Sequence, residues 1–206
     1  MKIVEIFSSI QGEGIQQGRP CTFVRCAGCN LNCSWCDTEY ARDPECGENL
    51  TVDEVFERIS KEKPTYICIT GGEPLLQIEE VTTLSQKLQN NGFSVEIETN
   101  GTINFYPLLP YASINMDVKC PSSGEEGSAR TDCISRLREN DALMFVVRDR
   151  EDCTFAQTIL SQVQPVCPVF FSPVEGSDRS EIARFICDTN LLVRLQIQLH
   201  KQIGVR

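Results

Sequence analysis

Three cysteines within eight residues, Cys29, Cys33 and Cys36, are spaced C-x3-C-x2-C in a stretch with no hydrophobic period of its own. From Cys26 to Leu50 the chain is polar, rich in Cys, Asn, Asp and Glu, and follows neither the helical nor the strand repeat. A loop of that length needs an anchor other than its own core. Three close thiolates supply one, because they can grip a soft metal or an iron–sulfur cluster. A structural zinc site, or a four-iron cluster in an electron carrier, takes four protein ligands, so three leave a position open to a substrate or cofactor. Cys26 and Cys46 are available as a fourth, and a closed zinc or iron–sulfur binding module is therefore the alternative reading.

The remaining composition narrows the setting. Of 12 cysteines, Cys68, Cys120, Cys133, Cys153, Cys167 and Cys187 are dispersed and read as small buried hydrophobes. Glu5 interrupts the N-terminus before a signal-peptide apolar core could form, and no stretch approaches the roughly 20 apolar residues that span a bilayer. The expectation is a cytoplasmic protein with no membrane partner, in which clustered thiols bind metal rather than form disulfides. Nineteen Lys and Arg against 29 Asp and Glu give a net charge of −10, with no basic run to neutralise phosphates. That charge argues against direct nucleic-acid binding, and a small ligand is expected.

Apolar runs and turn residues predict strands at Ile3–Phe7, Cys21–Arg25, Tyr66–Thr70, Ser94–Glu98, Ser113–Val118, Ala142–Val147 and Pro168–Phe171, with Ser8–Pro20 a Gly-rich loop. Alternation over Leu191–Leu199 adds a half-buried final strand. Helices are predicted after Thr51, around Val81–Leu88 with Asn91-Gly92 as the stop, and around Arg130–Glu139, Asp152–Gln162 and Ser180–Cys187. Strand and helix alternate, which implies right-handed crossovers in a mostly parallel sheet. The fold class is α/β, one domain over residues 1–206, with about six parallel strands, open or partly closed into a barrel. Gly71-Gly72-Glu73-Pro74, Thr99-Asn100-Gly101, Asp117-Val118-Lys119 and Ser172-Pro173 all follow strands, so they form one rim at the carboxyl ends, where such folds bind ligands.

The C-x3-C-x2-C spacing, followed after the next parallel strand by Gly71-Gly72-Glu73-Pro74, resembles the radical S-adenosylmethionine superfamily and its GGEP motif. Ser9-Ile10-Gln11-Gly12-Glu13-Gly14, Phe23-Val24-Arg25, Cys36-Asp37-Thr38 and Leu199-His200-Lys201 further resemble the 7-carboxy-7-deazaguanine synthase family, over nearly the whole chain. The resemblance implies a compact, partial (β/α)6 barrel acting as a homodimer. It implies a [4Fe-4S] cluster, S-adenosylmethionine and Mg²⁺, with an electron donor such as flavodoxin or ferredoxin. The implied reaction converts 6-carboxy-5,6,7,8-tetrahydropterin to 7-carboxy-7-deazaguanine with loss of ammonia, on the route to queuosine or archaeosine. A glycyl-radical-enzyme activase shares the cysteine motif, but would need a protein partner and neither Mg²⁺ nor a pterin.

Carried over position by position, the resemblance gives Cys29, Cys33 and Cys36 to the cluster and Thr38 to Mg²⁺. Trp35, Cys36, Asp37, Gly72, Asp117, Val118, Lys119, Ser172, Pro173, Val174 and Glu175 flank S-adenosylmethionine. Asp117-Val118-Lys119 stands where many relatives have Ser-Pro-Lys, and Ser172-Pro173 where many have Gln-Pro. Ile10, Gln11, Gly12, Glu13, Arg25, Thr70, His200 and Arg206 go to the substrate. An Arg fork suits its carboxylate, and Glu13 its guanidine-like nitrogens. No residue is required as a dedicated acid–base catalyst.

Overall fold

The computed structural model describes residues 1–205; Arg206, a substrate candidate, lies outside the described residues. Among the described residues, nine strands form one sheet: β1 (Lys2–Ile10), β2 (Pro20–Cys26), β3 (Glu48–Asn49), β4 (Tyr66–Gly71), β5 (Ser94–Thr99), β6 (Ser113–Asp117), β7 (Ala142–Val147), β8 (Val169–Pro173) and β9 (Arg194–Leu195). They lie in the order β3-β1-β2-β4-β5-β6-β7-β8-β9. β1 runs antiparallel to β2 and β3, and from β2 to β9 all neighbours are parallel. The expected parallel α/β sheet is present, with an antiparallel hairpin added at its first edge.

Four helices carry crossovers, α1 (Val52–Ile59), α2 (Ile78–Asn90), α3 (Arg150–Val163) and α4 (Arg179–Thr189), and a short α5 (Leu199–Ile203) follows β9. The start of α1 is the capping box read from the sequence: the Glu54 N–H donates to Thr51 Oγ1 at 3.2 Å, and the Thr51 N–H donates to Glu54 Oε2 at 2.7 Å. The outward face of the sheet (Val24, Ile67, Ile69, Ile97, Ile114, Phe145, Phe171) is buried in one core with Val55, Ile59, Val81, Leu84, Leu88, Ala156 and Ile182 of the helices. The inward face is left free to be polar.

Three expectations need correction. Residues 130–139 form a 3₁₀ run, Thr131–Arg136, rather than an α-helix. Only Cys133, Ile134 and Leu137 are buried there, too few for a helical stripe, and Leu137 is already extended. The alternation over 191–199 gives only a two-residue strand, because after Leu195 the chain leaves the sheet edge and Gln196 turns inward to bond Gly14. β1 runs on to Ile10, taking up Ser8–Ile10 from the predicted loop, because that hairpin pairs through Ile10 and Pro20. No helix among the described residues is long and apolar enough to cross a membrane.

The join between β6 and β7 depends on Asp141, fully buried, whose carboxylate accepts from the N–H of Ile114 at 2.8 Å and from the backbone and guanidinium of Arg138 at 2.7–2.9 Å. Arg138 Nη2 also donates to Ala112 O at 2.7 Å. Replacing Asp141 with Ala strands a buried donor and half of this ion pair, so stability should fall by about 3 kcal/mol. Urea denaturation tests this, and a loss below about 1 kcal/mol would show that the network is dispensable.

Candidate active site

The cysteine loop leaves β2 and folds over the carboxyl ends of β2 and β4. Its backbone is fixed by Gly28 N–H to Ala41 O (2.8 Å) and Cys29 N–H to Arg42 O (3.1 Å), while short 3₁₀ turns at Glu39–Ala41 and Pro44–Cys46 return the chain. Its far side is tied to the loop after β6 through Ser34 N–H to Ser123 O (3.0 Å), Ser34 Oγ to Ser122 O (2.7 Å) and Trp35 Nε1 to Ser122 Oγ (3.3 Å).

Below it, Gly71 holds φ +146°, and a Cβ there would lie 2.2 Å from Cys26 O. A Cβ on Gly72 would lie 2.2 Å from Gly28 O and 2.8 Å from Cys29 Cβ. Only glycine permits this approach. Glu73, fully buried, accepts from Leu75 N–H, Thr99 Oγ1 and Asn100 N–H at 2.7–2.9 Å, which locks the turn to β5.

These loops enclose a cavity of 650 Å³. Cys29, Cys33 and Cys36 all line it, whereas Cys26 is buried and Cys46 exposed, neither on the wall. Burial raises the Cys29 and Cys33 thiols, with Cys36 adding to the effect, and Lys119 opposes it. Three thiols converging on one cavity, against a glycine backbone that leaves no side chain in the way, fit a cluster held by three protein ligands. The closed four-ligand alternative loses its fourth ligand.

On the same side, Trp35, Asp37, Thr38, Gly72, Asp117, Lys119, Val174 and Glu175 line the wall. Lys119 Nζ pairs with Asp117 at 2.6 Å and lies 5.2 Å from the Trp35 ring centroid. Burial disfavours the Lys119 charge, but Asp117 and the Cys33 thiol outweigh it and raise the ammonium's pKa. Asp37 accepts from Thr38 Oγ1 at 2.9 Å and pairs with Lys201 of α5 at 2.8 Å. Val118, Ser172 and Pro173 stand behind the wall: Val118 continues the β6–β7 ladder, and Ser172 Oγ donates to Glu13 Oε1 at 3.2 Å.

The opposite side is built from the β1–β2 hairpin, β4, β5 and the C-terminal segment, bringing Ile10, Gln11, Gly12, Glu13, Arg25, Thr70 and His200 together. Arg25 donates from Nε to Glu5 Oε1 at 2.8 Å, and Tyr40 Oη donates to that oxygen at 2.8 Å. Only the edge of the guanidinium is used in that bond. The His200 ring packs on Gly12, where a Cβ would fall 1.9 Å from Nδ1. Burial, then the charge of Glu98, pushes Glu13 up to about 7, while Gln198 Nε2 donates to it at 2.9 Å.

Sequence reading missed several wall residues, Tyr40, Arg42, Glu98, Asn115, Gln198 and Lys201, while Asn100 sits on the rim that it named. For Glu98 a signal existed, since Val95-Glu96-Ile97-Glu98 places carboxylates at alternate positions of a central strand, on its inward face. Gln11 Nε2 bridges them, donating to Glu96 at 2.7 Å and Glu98 at 3.1 Å.

A parallel sheet that gathers three loop thiols and a Gly-Gly turn at its carboxyl rim is the build of a radical S-adenosylmethionine enzyme, and the sequence model of the Radical SAM superfamily matches residues 23–117. The chain is 46% identical to a 7-carboxy-7-deazaguanine synthase of Methanospirillum hungatei over 205 residues, covering 100% of this chain and 86% of that one. It is 37% identical to that of Koribacter versatilis, covering 98% and 96%. The chain belongs to the 7-carboxy-7-deazaguanine synthase family. The crystal structure of QueE from Escherichia coli has the same fold, with a TM-score of 0.76 at 24% identity over 97% of this chain and 94% of that one.

Gly72→Ala should push the cysteine loop off β4 and drop bound iron well below the four atoms per chain of a [4Fe-4S] cluster. Iron and sulfide analysis after anaerobic reconstitution reads this directly. Full loading of the variant would show that the close approach is not needed.

Proposed function

We propose that the cavity holds S-adenosylmethionine between the cysteine loop, Trp35, Asp117 and Lys119, and the pterin between Arg25, Glu13, Thr70 and His200. The reaction is formation of 7-carboxy-7-deazaguanine from 6-carboxy-5,6,7,8-tetrahydropterin with loss of ammonia. One observation carries the assignment: the three thiols open onto the same cavity as the Arg25 guanidinium and the Glu13 carboxylate. The [4Fe-4S] cluster and S-adenosylmethionine, when bound, supply one-electron radical chemistry that no side chain can perform.

The chain's own part is to bind, orient and exclude water. Glu5 and Tyr40 fix the Arg25 fork so that its terminal nitrogens meet the substrate carboxylate. Glu13, held by Ser172 and Gln198, accepts from the pterin's guanidine-like nitrogens. Thr38 and Asp37 offer oxygens at the rim, the donor type Mg²⁺ prefers, and Thr38 would hold the ion there. Reduction by a flavodoxin or ferredoxin and assembly as a homodimer belong to the same reading, on the family resemblance.

The test incubates anaerobically reconstituted enzyme with dithionite, S-adenosylmethionine, Mg²⁺ and the pterin. Mass spectrometry should find 5′-deoxyadenosine and 7-carboxy-7-deazaguanine, both lost in Cys33→Ala. Deoxyadenosine without the deazapurine would overturn the substrate assignment.

Glu13 gives a pH prediction. With burial raising its pKa to about 7, the carboxylate needed as acceptor is present above that pH and lost below it. For the parent enzyme, kcat/KM for the pterin should therefore rise through pH 7. In Glu13→Gln it should be lower and flat across that range; an unchanged profile would remove Glu13 from substrate binding.

A further inference from the structure

Beneath the cavity lies a group of side chains that the reaction above does not use. Cys68 of β4 and Glu96 of β5 are directly opposite on neighbouring parallel strands, and Glu98 follows two residues later on the same face. The Cys68 Sγ and one carboxylate oxygen from each of Glu96 and Glu98 lie within 4.8 Å of one another. Cys68 and Glu96 are buried at 0% and 3% exposure. Among the described residues, Gln11 Nε2 is the side-chain nitrogen donating to both carboxylates, and it serves one oxygen of each.

Among the described residues, one buried polar atom beside this group lacks a partner. The Tyr66 hydroxyl lies against Glu96, close to Cys68 and Cys21, and leans on that carboxylate. Asn115 Oδ1 is unpaired, on the residue directly opposite Glu98 in β6. A buried polar acceptor left unpaired costs on the order of 1–3 kcal/mol, so Asn115 Oδ1 beside one thiol and two carboxylates marks a place built to receive a cation.

We propose that Cys68, Glu96 and Glu98, with Asn115 Oδ1 as a fourth donor, form a second cation site below the substrate cavity, for a borderline-soft dication such as zinc. One thiolate with two carboxylates suits zinc and not Mg²⁺, which takes oxygen ligands, so the site is chemically distinct from the rim at Thr38. Glu98, Asn115 and Gln11 line the cavity, which gives the ion its entry. Binding sends the thiol proton to solvent and draws Glu98 off the cavity wall, so zinc in this site inhibits turnover. Zinc binds or fails to bind whatever the substrate, so the binding measurement stands apart from the assigned reaction.

Cluster-loaded enzyme is dialysed anaerobically against zinc sulfate, with metal analysis and zinc K-edge absorption. The expected result is one zinc per chain beyond the cluster iron, with a single sulfur at about 2.3 Å and the other ligands at about 2.0–2.2 Å. Cys68→Ala and Glu96→Gln should each weaken binding by at least about tenfold while retaining cluster iron, and Cys68→Ala should relieve zinc inhibition of deoxyadenosine release. Cys68→Ser, closer in size, serves if the alanine variant fails to load its cluster. No extra zinc, three sulfurs per zinc, or unchanged affinity in the variants would each overturn the proposal.

Discussion

The close contact of Gly71 and Gly72 with Cys26 and Gly28 is the constraint on which the rest of this molecule depends. β2 and β4 are parallel neighbours up to Cys26 and Gly71, and beyond that point the backbones stay joined through Gly72 N–H to Cys26 O (3.1 Å) and Glu73 N–H to Gly28 O (2.7 Å). The sheet register therefore extends past the ends of the strands and into the cysteine loop. A loop with no apolar core of its own acquires the rigidity of the sheet on one side, and the Ala41 and Arg42 carbonyls complete its hold on the other. A cluster site must hold its ligands in position before the metal arrives, and backbone bonds at this density do so without spending side chains that the cavity needs.

A second closure joins the ends of the chain. Gln196 exchanges two hydrogen bonds with Gly14, its Oε1 accepting at 2.7 Å and its Nε2 donating at 2.9 Å. The Leu199 N–H donates to Gly12 O at 3.0 Å, and Gln17 Nε2 donates to both Gly12 O and Ile197 O. The sheet is open, because β9 is a two-residue edge far in order from β1, yet these bonds bring its open side together across the hairpin loop. They also explain why α5 exists: Gly12 fixes Leu199, and the next turn delivers His200 and Lys201 to the cavity. Two of the six parallel crossovers, from β5 to β6 and from β6 to β7, have 3₁₀ turns in place of helices, which is how a barrel-like cavity is built in a chain of 206 residues.

Much of this was legible in advance because it rests on local chemistry. The α1 capping box, the Asn91-Gly92 stop and the buried strand Ala142–Val147 follow from residue types within a few positions of one another. The cysteine spacing and Gly71-Gly72 are likewise local, so the thiol side of the cavity could be named from the sequence. The opposite wall could not be completed in that way. Gln198, Asn115 and Tyr40 face the cavity through long-range pairings, and no periodicity announces that Arg25 is held by Glu5 across a hairpin. The failed strand at 191–199 has the same origin, since its alternation was real but the partner of Gln196 is 182 residues away.

The buried carboxylates separate into two kinds by the donors they receive. Asp141 accepts from a strand N–H and three Arg138 nitrogens, Asp152 from two backbone N–H groups and the Ser122 hydroxyl, and Glu73 from two N–H groups and Thr99. Each accepts from at least three donors, which is the condition for a structural role. Among the described residues, Glu13 receives a serine hydroxyl and a glutamine amide, and Glu96 and Glu98 share one amide, with the Tyr66 hydroxyl against Glu96. Leaving acceptors short of donors destabilises the folded chain, and the deficit is confined to the inward faces of the hairpin and β5. A fold that satisfies its distant carboxylates so fully, and these so sparingly, has reserved them for bonds that arrive with something bound.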